Sequence, residues 1–191
     1  MAATESTMLE LGTIAPHFAL RDTEGGVVCV DDFWQSRAFL VVFLCNHCPY
    51  VRHIRDAFAE LAREYQARGV GIAAIMPNDV EAYPQDGPEG MKAEREAVGY
   101  TFPYLYDETQ QIARAYRAAC TPEFYLFDAD RKLVYRGQFD DSRPGNGVPV
   151  TGSDLRAALD AVLEDRPVSA DQKPSIGCGI KWKPGNEPDY L

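Results

Sequence analysis

The sequence has no long apolar run, little positive charge and few cysteines. No stretch approaches the roughly 18 consecutive apolar residues of a membrane-spanning helix. Lysine and arginine number 19 against 29 aspartates and glutamates, a formal net charge of -10. That balance repels nucleic acid and anionic membrane surfaces, which recruit basic patches. The first residues, "MAATESTMLELGT", lack the basic start and apolar segment of a secretory leader, so a cytoplasmic location is expected. Five cysteines in 191 residues are too few, and odd in number, for a disulfide-built scaffold. In a reducing compartment a close pair points instead to catalysis or metal binding. Repeats and low-complexity tracts are also missing. What remains is an ordinary globular composition, 46% hydrophobic, with enough apolar material for a sizeable core.

The patterning predicts an α/β layer fold. "PHFALRDTEGGVVCV" reads as an N-terminal hairpin turning at Glu24–Gly26. "AFLVVFL", residues 38–44, is a strand buried on both faces. A long helix follows, with Val51, Ile54, Phe58, Leu61 and Tyr65 on its inner face and Gly69 at its end. "VGIAAIM", 70–76, is a second buried strand, parallel to the first because a helix joins them. Helices over 90–98 and 108–118 come next. Then come a strand pair, 123–128 and 132–137, and a last helix over 154–163 capped by Ser153. Residues 1–165 read as one domain. Residues 166–191 read as a tail that docks on it, because Ile176, Ile180 and Trp182 sit among its glycines.

The chemistry gathers at "FLCNHCPYV". Cys45 ends a strand, and Cys48-Pro49 opens a helix, where proline has no N–H to leave unpaired. A thiolate at a helix amino end gains about 0.3–1 kcal/mol, up to about 2. That lowers a thiol pKa by roughly 0.2 to 1.5. His47, when protonated, adds to this, and the groups titrate together. The pair therefore reads as a redox couple: Cys45, nearer solvent by position, attacks a disulfide, and Cys48 resolves the intermediate. A zinc clamp needs two further ligands, and His53, five residues after Cys48, points about 140° round the helix. An inert packed pair is the third reading. His53 is expected on the helix surface, and Cys29 in the core. The loops 77–92 and 139–152 and the start of strand 123–128 all belong on the cysteine side of the sheet.

Three stretches in order carry a family resemblance: "LGTIAPHFALRDTEGG", "CNHCP" and "FPYLYDETQQIARAYRAACTPEFYLFDADRKLVYRG". Over about residues 10–164 the chain resembles the thioredoxin-fold group that contains the AhpC/TSA domain and the TlpA/ResA-like thiol-disulfide oxidoreductases. The resemblance implies a central mixed sheet flanked by helices, with an N-terminal hairpin added. It implies a cis peptide before Pro122, with Thr121 and Pro122 shaping the substrate groove. It also implies disulfide substrates, protein or small-molecule, and an external thiol reductant such as a thioredoxin or glutathione system. No cofactor and no metal are expected. A thiol-dependent peroxidase is the alternative, but its P-x-x-x-[TS]-x-x-C motif fits neither cysteine. Counting back from Cys48 finds Val41 and Cys45; from Cys45 it finds Ala38 and Val42. Cys120, Cys178, Glu123 and Arg143 are accessory candidates, and Glu123 or Asp79 is the candidate buried acid.

Overall fold

A computed structural model describes residues 3–191. In chain order the strands are β1 (Ala3–Glu5), β2 (Ala19–Asp22), β3 (Val27–Cys29) and β4 (Ala38–Phe43). Helix α1 (Pro49–Ala67) leads to β5 (Val70–Met76), α2 (Pro88–Val98), β6 (Tyr104–Tyr106) and α3 (Gln111–Ala115). The chain continues through β7 (Cys120–Thr121), β8 (Glu123–Phe127), β9 (Leu133–Gly137), α4 (Ser153–Leu163) and β10 (Ile176–Gly179).

Seven strands form one mixed sheet in the order β3-β2-β6-β5-β4-β8-β9. β4 and β5 run parallel with Ala38 opposite Val70, while β8 runs antiparallel to β4. Every residue of β4 and β5 is buried, as a strand covered on both faces requires. Alternation divides them between two apolar layers. Leu40, Val42, Ile72, Ala74 and Met76 pack with Val51, Ile54, Phe58, Leu61 and Tyr65 of α1 and with Leu155 and Leu159 of α4. Phe39, Val41, Phe43, Ala73 and Ile75 pack with Phe18, Val30, Ala113 and Tyr116 on the other side.

Several elements differ from their sequence reading. The helix expected over 108–118 is only α3, because Gln110 before it and Arg117 after it both take positive φ. The tight turn at Gln110 lets the Asp107 carboxylate accept the Ala113 N–H at 2.8 Å. Ser153 is the first residue of α4 rather than its cap; the cap is Gly152, at φ +67°. Cys29, expected in the core, is only half-buried at the end of β3.

Gly152 is a position where glycine is required. A Cβ there would lie 2.7 Å from the Phe139 ring and 3.1 Å from Leu61 Cδ1, and the backbone occupies the left-handed region. Gly152→Ala is therefore expected to destabilise the protein by about 1–2 kcal/mol. A lowered denaturant midpoint with an unchanged slope is the measurement that checks it.

A second, smaller sheet, β1-β10-β7, lies beside the cysteine loop. β10 is its central strand, with β1 on one edge and β7 on the other, antiparallel to both. It brings the last part of the chain to the carboxyl ends of β4 and β5.

Candidate active site

Cys45 follows β4 after Leu44, and Cys48 is the amino-terminal cap of α1, with Pro49 as the first helical residue. The connection between them is locked by Asn46. Its backbone N–H donates to Asp86 Oδ1 at 2.8 Å and its amide to the Gln85 carbonyl at 2.9 Å. Its side-chain oxygen accepts from the Tyr104 hydroxyl at 2.9 Å, and its carbonyl from Arg52 Nε at 2.9 Å. These bonds tie the cysteine loop to the 84–86 turn, to β6 and to α1.

The peptide between Thr121 and Pro122 is cis. Thr121 serves both thiols. Its Oγ1 lies 3.2 Å from Cys45 Sγ, and its carbonyl oxygen lies 3.2 Å from Cys48 Sγ. Both cysteines are buried, Cys45 at 1% and Cys48 at 0% exposure. Cys45, expected nearer to solvent than Cys48, is thus enclosed almost as fully.

The two sulfurs sit in opposite fields. The neighbouring Cys48, then burial and the Asp86 carboxylate, push Cys45 well above its ordinary value. Cys48 is drawn down to about 5, chiefly by the hydrogen bond from Cys45. The Cys178 thiol and the backbone N–H groups of Val51 and Cys178 also donate to it, against the opposing effect of burial. These shifts favour charge on Cys48 over Cys45 in the reduced pair. The proton between them has two homes, however. Moved to Cys48, it points at the Thr121 carbonyl; the Cys45 thiolate left behind receives the Thr121 hydroxyl. The pair titrates as a unit, and either sulfur can carry the charge.

His47 stacks on Tyr83, ring centroids 5.1 Å apart and planes 10° from parallel. Its Nδ1 meets Asp86 Oδ2 at 2.6 Å. Asp86 is fully buried and also accepts from the Asn78 amide at 2.8 Å. Asp86 is the buried acid on the cysteine side. The two residues named from the sequence lie elsewhere: Asp79 accepts the backbone N–H of Glu81, and Glu123 sits beneath Cys120. Asp86 comes from the Pro/Gly-rich loop after β5, where no helical or strand periodicity marks any one residue. Its signal was only that this loop leaves the sheet on the cysteine side.

Donor atoms of Cys45, His47 and Asp86 all lie within 4.8 Å of one another. Sulfur, nitrogen and oxygen at that spacing can hold a divalent transition metal. Both Asp86 oxygens, however, already accept N–H donors from Asn46 and Asn78, so a metal would compete with the loop's own hydrogen bonds.

The accessory candidates divide. Cys120 is buried and its thiol is pushed well up, by burial first and by Glu123 second; it packs under β7 and meets neither Cys45 nor Cys48 in a hydrogen bond. Arg143 turns back onto its own loop, donating to the Asp140 carbonyl at 2.6 Å, the Ser142 carbonyl at 2.7 Å and Gln138 Oε1 at 2.5 Å. It lines a small cavity of about 20 Å³ with Pro122 and Ile176; its two terminal nitrogens are engaged within the loop, while its buried Nε has no partner. His53, expected on the open helix surface, is half-buried with Nε2 2.7 Å from Ser142 Oγ. Cys178 alone among these reaches the pair.

The family model described as AhpC/TSA matches residues 11–136. The chain belongs to the AhpC/TSA family. This AhpC/TSA chain is 30% identical over 138 residues to the thiol-disulfide oxidoreductase ResA of Geobacillus thermodenitrificans, covering 68% of this chain and 70% of that one. The crystal structure of an uncharacterized conserved protein from Geobacillus kaustophilus superposes with a TM-score of 0.95 at 57% identity, covering 97% of this chain and 98% of that one. The thioredoxin domain of a thiol-disulfide oxidoreductase from Bacteroides vulgatus superposes at 0.60 with 18% identity, covering 78% and 96%. The fold is thioredoxin-like: a mixed sheet flanked by helices, with strands added at the amino-terminal end. No described helix of this AhpC/TSA protein is long and apolar enough to cross a membrane.

Proposed function

We propose that the protein is a thiol-disulfide oxidoreductase of the thioredoxin-like type, with Cys45 and Cys48 as its redox pair. The observation that carries this is the geometry: two cysteines at a helix amino end, with Thr121 offering a hydroxyl to one sulfur and a carbonyl to the other. The proton shifts to Cys48, and the Cys45 thiolate attacks one sulfur of the substrate disulfide, releasing the other as a thiolate. Cys48, deprotonated in turn, attacks Cys45 Sγ. A Cys45–Cys48 bond forms, the substrate leaves as its second thiol, and two electrons have passed from protein to substrate. An external thiol, from a thioredoxin or glutathione system, returns them. His47 and Asp86 set the field at Cys45. The substrate is a protein or small-molecule disulfide, and the compartment is the cytoplasm, where free thiols persist.

Two other readings are weighed by the same atoms. A thiol peroxidase would use the same sulfurs, but the sequence lacks the peroxidatic motif around either. A metal carrier would use Cys45, His47 and Asp86. The deciding measurement is the two-electron reduction potential of the pair, with disulfide reduction followed after exhaustive chelation. Turnover that survives chelation, with a potential between about -180 mV and about -270 mV, supports the redox reading. A protein that binds one equivalent of zinc tightly and reduces no disulfide without it refutes that reading.

A further inference from the structure

β10 places a third thiol on the pair. In the antiparallel register Cys178 lies opposite Thr121, and residues directly opposite on paired strands project to the same face. Thr121 is the residue that touches both Cys45 and Cys48. The approach is built in. A Cβ at Gly177 would fall on the carbonyl oxygen of Thr121, well inside van der Waals contact, so only glycine lets β10 lie this close to the cis-proline turn.

The strand is also fixed on both sides of Cys178. Before it, Ser6 and Ser175 exchange hydrogen bonds at 2.9 Å. After it, the Ile180 N–H donates to the Ala119 carbonyl at 3.0 Å. The Lys181 N–H donates to Asn78 Oδ1 at 2.9 Å, and Asn78 in turn donates to Asp86. This is no loose lid. It is a rigid third wall whose one reactive side chain faces the redox pair.

We propose that Cys178 is a third redox thiol of the site, exchanging with the oxidised pair to form a Cys48–Cys178 disulfide. The proposal rests on the thiol-disulfide reading above. In the step, Cys178 sulfur attacks Cys48 Sγ, the Cys45–Cys48 bond breaks and the Cys48–Cys178 bond forms. The proton of Cys178 ends on Cys45, so one disulfide replaces another and no electrons enter or leave. Cys178, at 5% exposure, is the least enclosed of the three residues, all of them buried. An external thiolate then attacks Cys178 Sγ and expels Cys48. A second external thiol frees Cys178. The oxidising equivalent is thereby carried from the pair to a third sulfur on β10.

The test oxidises the full chain with graded oxidised glutathione, quenches it with acid, alkylates it and quantifies linked peptides by mass spectrometry. The wild type should show Cys48–Cys178 beside Cys45–Cys48. Cys45→Ser should still lose two thiols on prolonged oxidation, through Cys48–Cys178, and Cys45→Ser/Cys178→Ser should not. Re-reduction of oxidised Cys178→Ser by external thiol should be slower than wild type by at least about tenfold; Cys178→Ala provides the same readout should the serine variant fold poorly. Only Cys45–Cys48 in the wild type, with re-reduction of Cys178→Ser at the wild-type rate, overturns the role of Cys178 and leaves the pair intact. No protein disulfide at any glutathione ratio overturns both.

Discussion

Cys48→Ser is expected to attack a disulfide once and stop. Its steady-state reduction of a protein disulfide should fall at least about a thousandfold, and a mixed disulfide on Cys45 should accumulate. The single attack should also change its pH dependence. In the wild type the pair releases its first proton near the value of Cys48, about 5, so attack is almost independent of pH at neutrality. Serine at 48 removes the group that held the charge. Cys45 then keeps its burial and the Asp86 carboxylate, both of which push it up, against one favourable hydroxyl from Thr121. A thiol above its ordinary 9.0 is less than about 1% ionised at pH 7. Attack should then follow the ionisation of Cys45 itself and climb with pH across the neutral range towards 9. Stopped-flow rates across pH 5–9, with mass spectrometry of the trapped adduct, check both halves. An unchanged profile would mean that Cys48 does not hold the charge. In Cys45→Ser, by contrast, steady-state turnover should vanish with no trapped protein substrate.

The parts of this site that were legible in the sequence are those written in one contiguous stretch. β4, α1 and β5 are long and strongly patterned. Their burial follows from periodicity alone, and the cysteine pair sits at their junction. The placement of the 77–92 loop, Thr121 and the 139–152 loop on one side followed from strand direction. What was not legible depends on contacts between distant segments. β10 reads "IGCG", with two glycines and no alternation, so nothing local marks it as a strand. It is one because β1 and β7 flank it, and its Gly177 serves an approach to Thr121 that only the folded chain reveals. Asp86 was hidden for a related reason: a carboxylate in an irregular loop becomes a site residue only when Asn46, Asn78 and His47 converge on it. α3 failed in the other direction. Helix-forming residues over 108–118 are overruled by Gln110, whose left-handed turn lets Asp107 close over the helix start and whose side-chain amide donates to the carbonyls of Pro77 and Lys181.

Glu123 supplies a large pH effect on stability. It is 1% exposed at the start of β8, and burial raises its carboxyl from 4.5 to about 7. The N–H groups of Ala119 and Cys120 and the Tyr125 hydroxyl favour its ionised form, but not enough to offset desolvation. A group whose acidity is weaker in the folded chain supports folding while protonated in both states. That support is complete below about 4.5 and is withdrawn as pH rises through about 7. A difference of about 2.5 pKa units at 1.36 kcal/mol each amounts to about 3 kcal/mol. Glu123→Gln keeps the shape. Its amide oxygen accepts from Ala119 and Cys120 at the Oε2 position, and its amide nitrogen donates to the Tyr125 oxygen that Oε1 now meets at 2.7 Å. At pH 4.5 the variant and the wild type should be about equally stable. At pH 8 the variant should be more stable by about 3 kcal/mol, with the gap opening across pH 5–7. Denaturant unfolding of both proteins at each pH checks this, and comparing the pair cancels the titration of the thiols, which the two share. A constant difference across that range would show that Glu123 is ionised throughout.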